Sequence, residues 1–480
     1  MRTTPAKTRT AIVVFSLLFV SRIAWGGVLL RWTNPVLPPA SELGIDSLVI
    51  SWNDRSSTMA RQAQKLGYHL YVEASLDEAE TAAKKADQDH LAGIILDVHK
   101  SERSKVVSDV SRLQSAHPRL SFVVLNSEGK RPQMRGSLVI KRDSVLEVSS
   151  PTAQPWIDSN LSLIKIQQRV YPAQNVLYSF SWRGSDSAQQ QDRLSADDYS
   201  IAVAEAGAFH ADLVLEIDEI LQKALVEHAP NAWTLWKQVQ SYVAFYSDNS
   251  KESLRAGANV AVVEDEFDTG DEVLNLLARH NIPFSVLQTS DLKTQDLAPY
   301  DVVIAFAKPS FEISKRIADL ATRGKTIVLV EPQGSYPWHN AQSVRLNEHT
   351  VLYTVGAGKV LELSEAVADP ETFAQDIRRL IGKERALMSL WNGLTTIAVP
   401  YLGLTGDIAL MEFINYAGDP LRVQVQVRGS FTSILYESPE HKCCESLVPV
   451  NQNGSTEFEI PELRIAGRVY LKKSQPNGAR

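Results

Sequence analysis

Short runs of aliphatic and β-branched residues alternate with amphipathic segments from Gly27 to about residue 225. Strands that alternate with segments of helical periodicity are typical of a parallel sheet. Eight runs fit the description: Val28–Trp32, Ser47–Trp52, Leu70–Glu73, Gly93–Val98, Phe122–Asn126, Leu138–Lys141, Val176–Trp182 and Asp212–Ile217. They predict a (β/α)8 TIM barrel over residues 27–225. The sixth run fits least well, because no clear helix follows it.

A second alternating unit covers residues 259–400 and predicts a flavodoxin-like or Rossmann-like doubly wound domain. Its strand-like runs are Val260–Val263, Phe284–Leu287, Val302–Phe306 and Thr326–Val330. The first turn reads Glu264-Asp265-Glu266, without a glycine-rich fingerprint and with charges that would repel a pyrophosphate. The third run ends in Ala305-Phe306-Ala307-Lys308, without a cysteine. We therefore expect neither a nucleotide cofactor nor thiol chemistry there.

The remaining segments complete a chain of several domains. Residues 226–258 form a helical connector whose aromatic residues are expected to pack at a domain junction. From residue 401 to 480, alternating apolar and polar positions separated by turn signals predict a small antiparallel β-sandwich. Its predicted strands are Ala409–Asn415, Leu421–Val427, Thr432–Tyr436, Thr456–Ile460 and Ala466–Leu471.

Residues 1–26 have the pattern of a secretory signal peptide. Arg2, Lys7 and Arg9 precede the apolar run Ala11–Val20, and two small residues stand at positions 24 and 26. The run is too short to span a bilayer comfortably, so a retained anchor is the weaker alternative. We expect a secreted or periplasmic protein that begins at Gly27 and has no membrane contact after processing.

The composition adds two exclusions. The chain has 480 residues, of which 44% are hydrophobic, and these suffice for two or three hydrophobic cores. Its formal charge of -7 lacks the excess of basic residues that a nucleic-acid-binding protein needs. The only cysteines are the neighbours Cys443 and Cys444, which rarely pair in that arrangement and carry no metal-ligand or nucleophile signature. We predict a structural role for them, and no metal or other cofactor.

The fourth run, Gly93–Val98, combines an apolar strand with an acid, Asp97, at its carboxyl end. In an α/β barrel that end carries the chemistry. Asp97 is therefore a candidate catalytic carboxylate. The alternative is that it caps the next helix or accepts a backbone N–H, since Asp is common where a strand meets a loop.

The order of barrel, doubly wound domain and β-sandwich resembles β-galactosidases built with a trimerisation domain and related glycosyl hydrolases. The segments Ala204-Glu205-Ala206-Gly207-Ala208 and Thr456–Leu463 are similar to a barrel helix and to the sandwich of those proteins. The resemblance implies a carbohydrate as partner. It also implies that the second domain, glutamine-amidotransferase-like without its cysteine, serves assembly into a homo-oligomer, a trimer in particular.

The strand ends depart from that family. Its retaining members carry Asn-Glu after strand four and a second Glu after strand seven, whereas this chain has Asp97-Val98-His99 and no acid in the seventh run. An Asp after strand four resembles the nucleophile of α-galactosidase-like and α-xylosidase-like barrels.

A glycosidase needs two carboxyl groups. The candidate partners of Asp97 are Glu128, Asp143, Glu73, Glu216 and Asp218. We favour Glu128, because the loop Asn126-Ser127-Glu128-Gly129 is flexible and on the catalytic face. For each candidate the alternative is a solvated or helix-capping acid.

Three tryptophans stand at the ends of runs: Trp32, Trp52 and Trp182. At a barrel mouth they would offer flat apolar faces to sugar rings, with Glu73 and Glu216 as further substrate-binding groups; in a core each indole N–H would need a buried partner.

Two functions remain open. The first is an exported glycoside hydrolase in which Asp97 and Glu128 act together. The second is an inactive carbohydrate-binding or scaffold relative, which the missing acid of the seventh run favours. An exported enzyme for a substrate other than a sugar is a third class, since a fold does not fix a function.

Overall fold

The computed structural model describes residues 27–53, 56–98, 103–135, 139–142, 145–148, 156–170, 175–182, 194–247, 254–265, 267–306, 308–441 and 443–473. The signal segment 1–26, His99 and Asp143 lie outside these ranges, so what the sequence predicts for them stays a prediction. Within the ranges, no helix is long and apolar enough to cross a membrane.

Seven parallel strands close into a barrel in the first part of the chain. The strands up to residue 216 are β1 (Val28–Arg31), β2 (Ser47–Ser51), β3 (His69–Ser75), β4 (Gly93–Asp97), β5 (Ser121–Gly129), β6 (Gln133–Arg135), β7 (Val139–Arg142), β8 (Val145–Val148), β9 (Trp156–Asp158), β10 (Leu177–Phe180) and β11 (Asp212–Glu216). The closed order is β1-β11-β10-β5-β4-β3-β2. The prediction of a parallel α/β barrel is confirmed, but the number of strands is seven and not eight.

Helices connect and cover these strands. They are α1 (Ala40–Leu43), α2 (Ser56–Lys65), α3 (Ala79–Gln88), α4 (Arg103–Ala116), α5 (Leu161–Val170), α6 (Ala196–Ala208), α7 (Glu219–Val226) and α8 (Pro230–Tyr246). Helix α8 is the aromatic connector segment, and it packs on α6. Trp236 and Tyr242 of α8 are fully buried, and the Trp236 indole donates to the Leu43 carbonyl at 3.0 Å.

The sixth run of the sequence lies outside the barrel. Strand β7 pairs antiparallel with β8, and β6 pairs antiparallel with β9. Only two residues, 143 and 144, separate β7 from β8, and so short a connection joins antiparallel strands, whereas neighbouring parallel strands need a crossover of about a dozen residues or more. The segment therefore forms a hairpin, and β5 pairs directly with β10.

Gly129 lies where β5 and β10 close this gap. It pairs with Phe180 beside an irregularity in the strand register. A Cβ atom at position 129 would lie 2.5 Å from the Ser179 carbonyl oxygen. The close approach of the two backbones therefore requires glycine at this position.

The barrel interior is filled by side chains. Alternate residues of a strand point to opposite faces, so one set points inward and the other packs under the helices. Each strand gives one buried residue to the inner layer: Leu29, Val49, Tyr71, Ile95, Leu125, Leu177 and Val214. The barrel is thus a packed core, and groups that can meet a ligand lie above this layer at the strand ends.

A seven-stranded sheet with helices on both faces forms the second domain. Its elements are β13 (Val260–Val263), α9 (Phe267–Arg279), β14 (Phe284–Leu287), α10 (Asp291–Thr294), β15 (Val302–Ala305), α11 (Phe311–Thr322), β16 (Thr326–Val330), a 3₁₀ helix (Pro337–Asn340), β17 (Gln342–Arg345), β18 (Thr350–Val355), β19 (Gly358–Leu363) and α12 (Pro370–Ile381), after the short β12 (Arg255–Ala256). The order is β14-β13-β15-β16-β19-β18-β17, and the first five strands are parallel. Helix α9 packs against α5 of the barrel, so the two domains share one apolar core.

Two antiparallel sheets form a β-sandwich at the end of the described chain. The strands are β20 (Met388–Trp391), β21 (Thr396–Leu402), β22 (Ile408–Asn415), β23 (Leu421–Arg428), β24 (Ser433–Glu437), β25 (Glu445–Leu447), β26 (Val450–Gln452), β27 (Ser455–Leu463) and β28 (Ala466–Lys472). The sheet orders are β12-β21-β22-β28-β24-β25 and β20-β23-β27-β26. Their facing side chains make a separate core that includes Phe413, Val425 and Ile460. Contrary to the expectation from the sequence, Cys443 and Cys444 are joined by a disulfide.

Glu205 of α6 is fully buried where the barrel meets the sandwich. Its carboxylate accepts hydrogen bonds from the Tyr416 hydroxyl at 2.6 Å and from Asn160 Nδ2 at 2.5 Å. Burial raises the pKa of Glu205 to about 7, although these hydrogen bonds oppose the shift. Burial likewise raises the pKa of Asp212, at the start of β11, to about 7.

These two acids predict a stability that falls as pH rises. In the unfolded chain Asp and Glu ionise near pH 4, whereas the folded protein keeps both protons until about pH 7. Between those values the folded state binds more protons than the unfolded state, so the free energy of unfolding decreases with pH. Urea unfolding at pH 5 and at pH 8 measures the difference. We expect Glu205→Gln and Asp212→Asn each to reduce this difference in unfolding free energy by on the order of 1 to 3 kcal/mol.

The matched control is Glu219→Gln, at an exposed position of α7. It should leave the pH dependence of unfolding as in the parent chain. A parent protein whose stability rises between pH 5 and pH 8 would contradict the protonated state of the two buried acids.

Candidate functional site

The carboxyl ends of the barrel strands carry a group of charged side chains. Two residues beyond the inner layer, the inward positions are occupied by Arg31 on β1, Glu73 on β3, Asp97 on β4 and Glu216 on β11. Because the strands are parallel, these positions meet at one end of the barrel. Because successive side chains of a strand point to opposite faces, Trp32, the next residue after Arg31, is predicted to point away from this mouth.

Arg31 holds two of the acids together. Its Nη2 atom lies 2.7 Å and its Nε atom 3.1 Å from Glu73 Oε2, and its Nη1 atom lies 3.5 Å from Glu216 Oε2. The Arg31 and Glu73 side chains are only 20% and 17% exposed, whereas Glu216 is 47% exposed. Arg31 thus brings two carboxylates to one part of the mouth.

Asp97 is half-buried at the end of β4. Its Oδ1 atom accepts a hydrogen bond from the Ser127 hydroxyl at 3.2 Å. Apart from that contact, no backbone N–H of the described residues donates a hydrogen bond to this carboxylate. This geometry leaves the carboxylate facing the mouth together with the end of β5.

Glu128, the predicted partner of Asp97, follows Ser127 at the exposed end of β5. Its backbone N–H donates to Asn126 Oδ1 at 3.0 Å, which fixes the backbone of this strand end. Adjacent strands thus bring Asp97 and Glu128 to the same rim. Asp218, another candidate, has a structural role instead, because its Oδ1 accepts from the N–H groups of Ile220 and Leu221 at the start of α7.

The three tryptophans have different surroundings. Trp32 is 1% exposed and its indole donates to the Val36 carbonyl at 3.1 Å, so it belongs to the barrel wall and has no face for a ligand. Trp52 is half-buried beside the end of β3, its backbone N–H donating to the Glu73 carbonyl at 2.9 Å. Trp182 is half-buried and its indole donates to the Glu216 carbonyl at 2.8 Å. Trp52 and Trp182 therefore each border a strand end that carries an acid of the mouth.

Arg131 supports this side of the mouth. Its guanidinium carbon lies 5.7 Å from the centre of the Trp182 ring, and its Nη2 atom lies 2.6 Å from Asp198 Oδ1. Burial alone would raise the pKa of Asp198, but hydrogen bonds from Ser195 and the Arg131 charge outweigh it and leave the pKa lowered. The ionised Asp198 thus keeps Arg131 over the indole.

Asn160 fixes the loop that follows β5. Its Oδ1 atom accepts from the Lys130 N–H at 2.7 Å, and its Nδ2 atom donates to the Lys130 carbonyl at 2.8 Å. Since Asn160 also binds Glu205, the loop that begins at Lys130, directly after β5, is tied to the buried junction.

Sequence reasoning missed Arg31, Ser127 and Arg131. Side chains alternate along β1 and Leu29 points inward, so the same alternation could have predicted that Arg31 also points inward. No comparable pattern marks the other two, because their positions depend on the irregular end of β5.

A group of possible metal ligands in the described ranges lies far along the chain from the mouth, in the sandwich: Glu437, Cys443 and Cys444. The cysteines are bonded to each other, and Glu437 accepts from Arg468 and Tyr470. These contacts leave the group without the free thiolates that a soft metal needs.

Comparisons with known proteins show the fold. No protein-family model matches the chain, and no curated protein matches its sequence. Among solved structures, the α-L-fucosidase isoenzyme 2 from Paenibacillus thiaminolyticus is similar with a TM-score of 0.59 and 9% identity, over 94% of this chain and 100% of that one.

Weaker similarities are to β-galactosidases. The enzyme from Rahnella sp. R3 has a TM-score of 0.48 and 9% identity, over 90% of this chain and 94% of that one. The enzyme from Bacillus circulans has a TM-score of 0.46 and 11% identity, over 88% of this chain and 95% of that one. Of these three structures only the α-L-fucosidase has a TM-score above 0.5, and its likeness confirms a glycoside hydrolase-like barrel for the fold alone.

The contacts of Arg31 predict unequal coupling to its two acids. In double-mutant cycles of unfolding free energy, Arg31→Met with Glu73→Gln should give about 1 to 2 kcal/mol, because the pair is mostly buried and makes two hydrogen bonds. The matched cycle with Glu216→Gln should give less than about 0.5 kcal/mol, because that acid is exposed and more distant. Equal coupling in the two cycles would contradict this arrangement of the mouth.

Proposed function

We propose that this protein is an exported, glycoside hydrolase-like enzyme that cleaves a glycosidic bond at the carboxyl end of its barrel. The observation that carries the proposal is the gathering of Asp97, Glu73 and Glu216 around Arg31 and Ser127 at that end. Chemistry in this fold takes place there. The fold that it shares with a fucosidase supports a sugar as substrate, and the pattern of residues 1–26 supports export.

In this proposal Asp97 is the carboxylate that attacks the anomeric carbon or activates water. The Ser127 hydroxyl, 3.2 Å from Oδ1, orients it and leaves the second oxygen for the reaction. Glu128 on the neighbouring strand end is the proton donor to the leaving oxygen. It is exposed at the rim, next to the Ser127 that binds Asp97.

Glu73 and Glu216 have a binding role in the same proposal. A carboxylate already bound to a guanidinium is suited to accept hydrogen bonds from sugar hydroxyls rather than to transfer a proton. Trp182, beside Glu216, offers part of its indole to the apolar face of a sugar ring. Trp52, next to Glu73, borders the opposite side of the mouth.

The second candidate is a carbohydrate-binding protein without turnover. One observation favours it: Ser179 occupies the inward position at the end of β10, where the resembled β-galactosidases need an acid. Two of the remaining acids are bound to Arg31. A mouth of this kind would bind a sugar and still lack a proton donor.

Asp97→Asn separates the two candidates. If Asp97 reacts with the substrate, the variant should lose aryl glycoside hydrolysis by about three orders of magnitude or more, with a thermal midpoint changed by no more than a few degrees. Initial rates on a panel of aryl glycosides and thermal unfolding of both proteins provide the measurement.

Asp46→Asn is the control, because Asp46 is exposed before β2 at the opposite end of the barrel. It should keep the parent rate. A parent protein that binds glycosides but does not cleave them would favour the second candidate. A variant at position 97 with the parent rate would exclude Asp97 from the chemistry.

The second domain is proposed to be flavodoxin-like and to serve self-association. Numbering its five parallel strands along the chain gives the order 2-1-3-4-5, which supports a flavodoxin-like assignment. Its last strand, β17, is an edge whose residues are all exposed, and an exposed edge can pair with another chain. The resemblance to trimeric enzymes supports a homo-oligomer.

Val344→Lys tests this association. Val344 is 52% exposed at the centre of β17, so a charge there should weaken edge pairing while folding is retained. Sedimentation equilibrium should show an oligomer for the parent and a lower mass for the variant at the same concentration. The control Lys359→Glu changes an exposed residue on β19. A monomeric parent would end the assembly proposal.

A further inference from the structure

The sheet β20-β23-β27-β26 of the sandwich has an outer face of amide and carboxylate side chains. The buried valines of β23 point into the sandwich core, and successive side chains of a strand alternate between faces, so Gln424 and Gln426 point outward. Their direct partners on β27 are Glu459 and Glu457. Both acids are half-buried and Gln424 is exposed. Two rows of planar polar groups therefore cross this face.

Trp391 extends one of these rows onto the edge strand β20. It pairs with Gln424, which in turn pairs with Glu459, so that an indole, an amide and a carboxylate stand side by side. Neighbouring strands lie about 4.8 Å apart, so the row spans roughly 10 Å. We call this surface the Trp391 face.

The indole of Trp391 is available to a ligand. Trp391 is 47% exposed, and every other tryptophan of the described ranges is buried or half-buried. Six of those tryptophans donate the indole N–H to a protein acceptor, whereas Trp391 makes no hydrogen bond to a described residue. Both the flat ring and the N–H are thus free to meet another molecule.

The polar groups beside the ring are only weakly paired with one another. Gln424 Nε2 donates to Glu459 Oε2 at 3.3 Å, and Gln426 Nε2 donates to Glu457 Oε1 at 3.2 Å. Arg422 Nε lies 3.4 Å from Glu459 Oε1, and the Arg422 side chain is 69% exposed. These distances are long for hydrogen bonds to a carboxylate, and exposed pairs contribute little. Ligand hydroxyls can therefore replace them at small cost.

The charges of the face decide which ligand suits it. The outward positions of β23 and β27 that pair in register carry two cations, Arg422 and Arg428, and two acids, Glu457 and Glu459. Such a face has no net charge to attract a polyanion or a polycation. A neutral ligand rich in hydroxyls meets both donors and acceptors there. A protein partner fits less well, because the cores of protein interfaces are depleted of charged residues.

We infer that the Trp391 face binds a neutral polysaccharide, at a site separate from the barrel mouth. The indole packs against the apolar face of one sugar ring, and hydroxyls bind Gln424 and Glu459 in the same row. The site holds the protein on a polymer and leaves the barrel mouth open. It does not require that the mouth cleaves the bound chain.

The experiment is electrophoresis of the full-length processed chain in native gels that contain a polysaccharide. The neutral probes are hydroxyethylcellulose, arabinoxylan, galactomannan and laminarin, and retardation against polymer concentration gives a dissociation constant. At least one of them should retard the parent protein. The carboxymethylated form of the polymer that binds should bind at least about threefold more weakly, because its negative charges meet the two acids of the face.

Variants assign the binding to the Trp391 face. Trp391→Ala should weaken it about tenfold or more, and Gln424→Ala about two- to fivefold. Trp391→Tyr, which keeps an aromatic ring, should stay within about threefold of the parent. The matched control is Leu404→Ala, which truncates an apolar side chain that is 98% exposed on the turn between β21 and β22 of the other sheet.

Folding and activity provide the remaining controls. Trp391 is half exposed and makes no hydrogen bond to a described residue, so Trp391→Ala should unfold within a few degrees of the parent. The exposed Gln424 gives a second variant if it does not. Trp391→Ala should keep the parent rate on aryl glycosides, and Asp97→Asn should keep the parent binding to the polysaccharide.

Four outcomes would overturn the inference. They are no retardation of the parent by any neutral polymer, parent affinity in Trp391→Ala, equal affinity for the carboxymethylated polymer, and a lower mass of Trp391→Ala in sedimentation. The last would make the face a contact between copies of this chain. An inactive parent that still binds the polymer through Trp391 would end the proposed turnover and leave this site standing.

Discussion

The buried carboxylate of Glu205 is the interaction on which the arrangement of the domains depends. It accepts hydrogen bonds from Tyr416 of the sandwich and from Asn160, which in turn holds Lys130 at the end of β5. A charge in such a place is costly, and removing any one donor would leave it less compensated. The same group therefore joins the sandwich to the barrel and to Lys130, the residue that follows β5. Its raised pKa is the consequence of that burial.

The closure of the barrel with seven strands shapes the mouth and the contact of α5 with the second domain. Because β5 pairs directly with β10 at Gly129, the segment that would have supplied a strand forms two hairpin-like pairs outside the barrel. Helix α5 then packs against α9 and β14 of the second domain. One consequence is the irregular end of β5, which places Ser127 beside Asp97. The other is that α5 forms one wall of a narrow cleft where the barrel, the second domain and the sandwich meet.

The sequence predicted most of the fold because buried parallel strands have a simple pattern. Seven of the eight proposed barrel strands lie where continuous apolar runs stand in the sequence. So do the four strands that were proposed for the second domain. The sixth run failed because a connection of two residues joins β7 to β8, which suits a hairpin and is too short for a parallel crossover. Trp32 shows a different limit of the sequence. Its position at a strand end does not say whether its side chain points into the barrel or outward, and here the indole is buried in the barrel wall. Contacts between distant residues, such as Arg31 with Glu216, depend on barrel closure and leave no local pattern.

The charges at the mouth decide how the two candidate functions differ physically. Arg31 is one cation between two carboxylates, so it neutralises Glu73 well and Glu216 weakly. Asp97 is bound by the neutral hydroxyl of Ser127, which leaves its charge uncompensated by any cation recorded in the described ranges. An uncompensated carboxylate stabilises the positive charge that develops on a sugar ring during cleavage. The proposed turnover therefore depends on Asp97, and the proposed sugar binding on the two acids that Arg31 pairs.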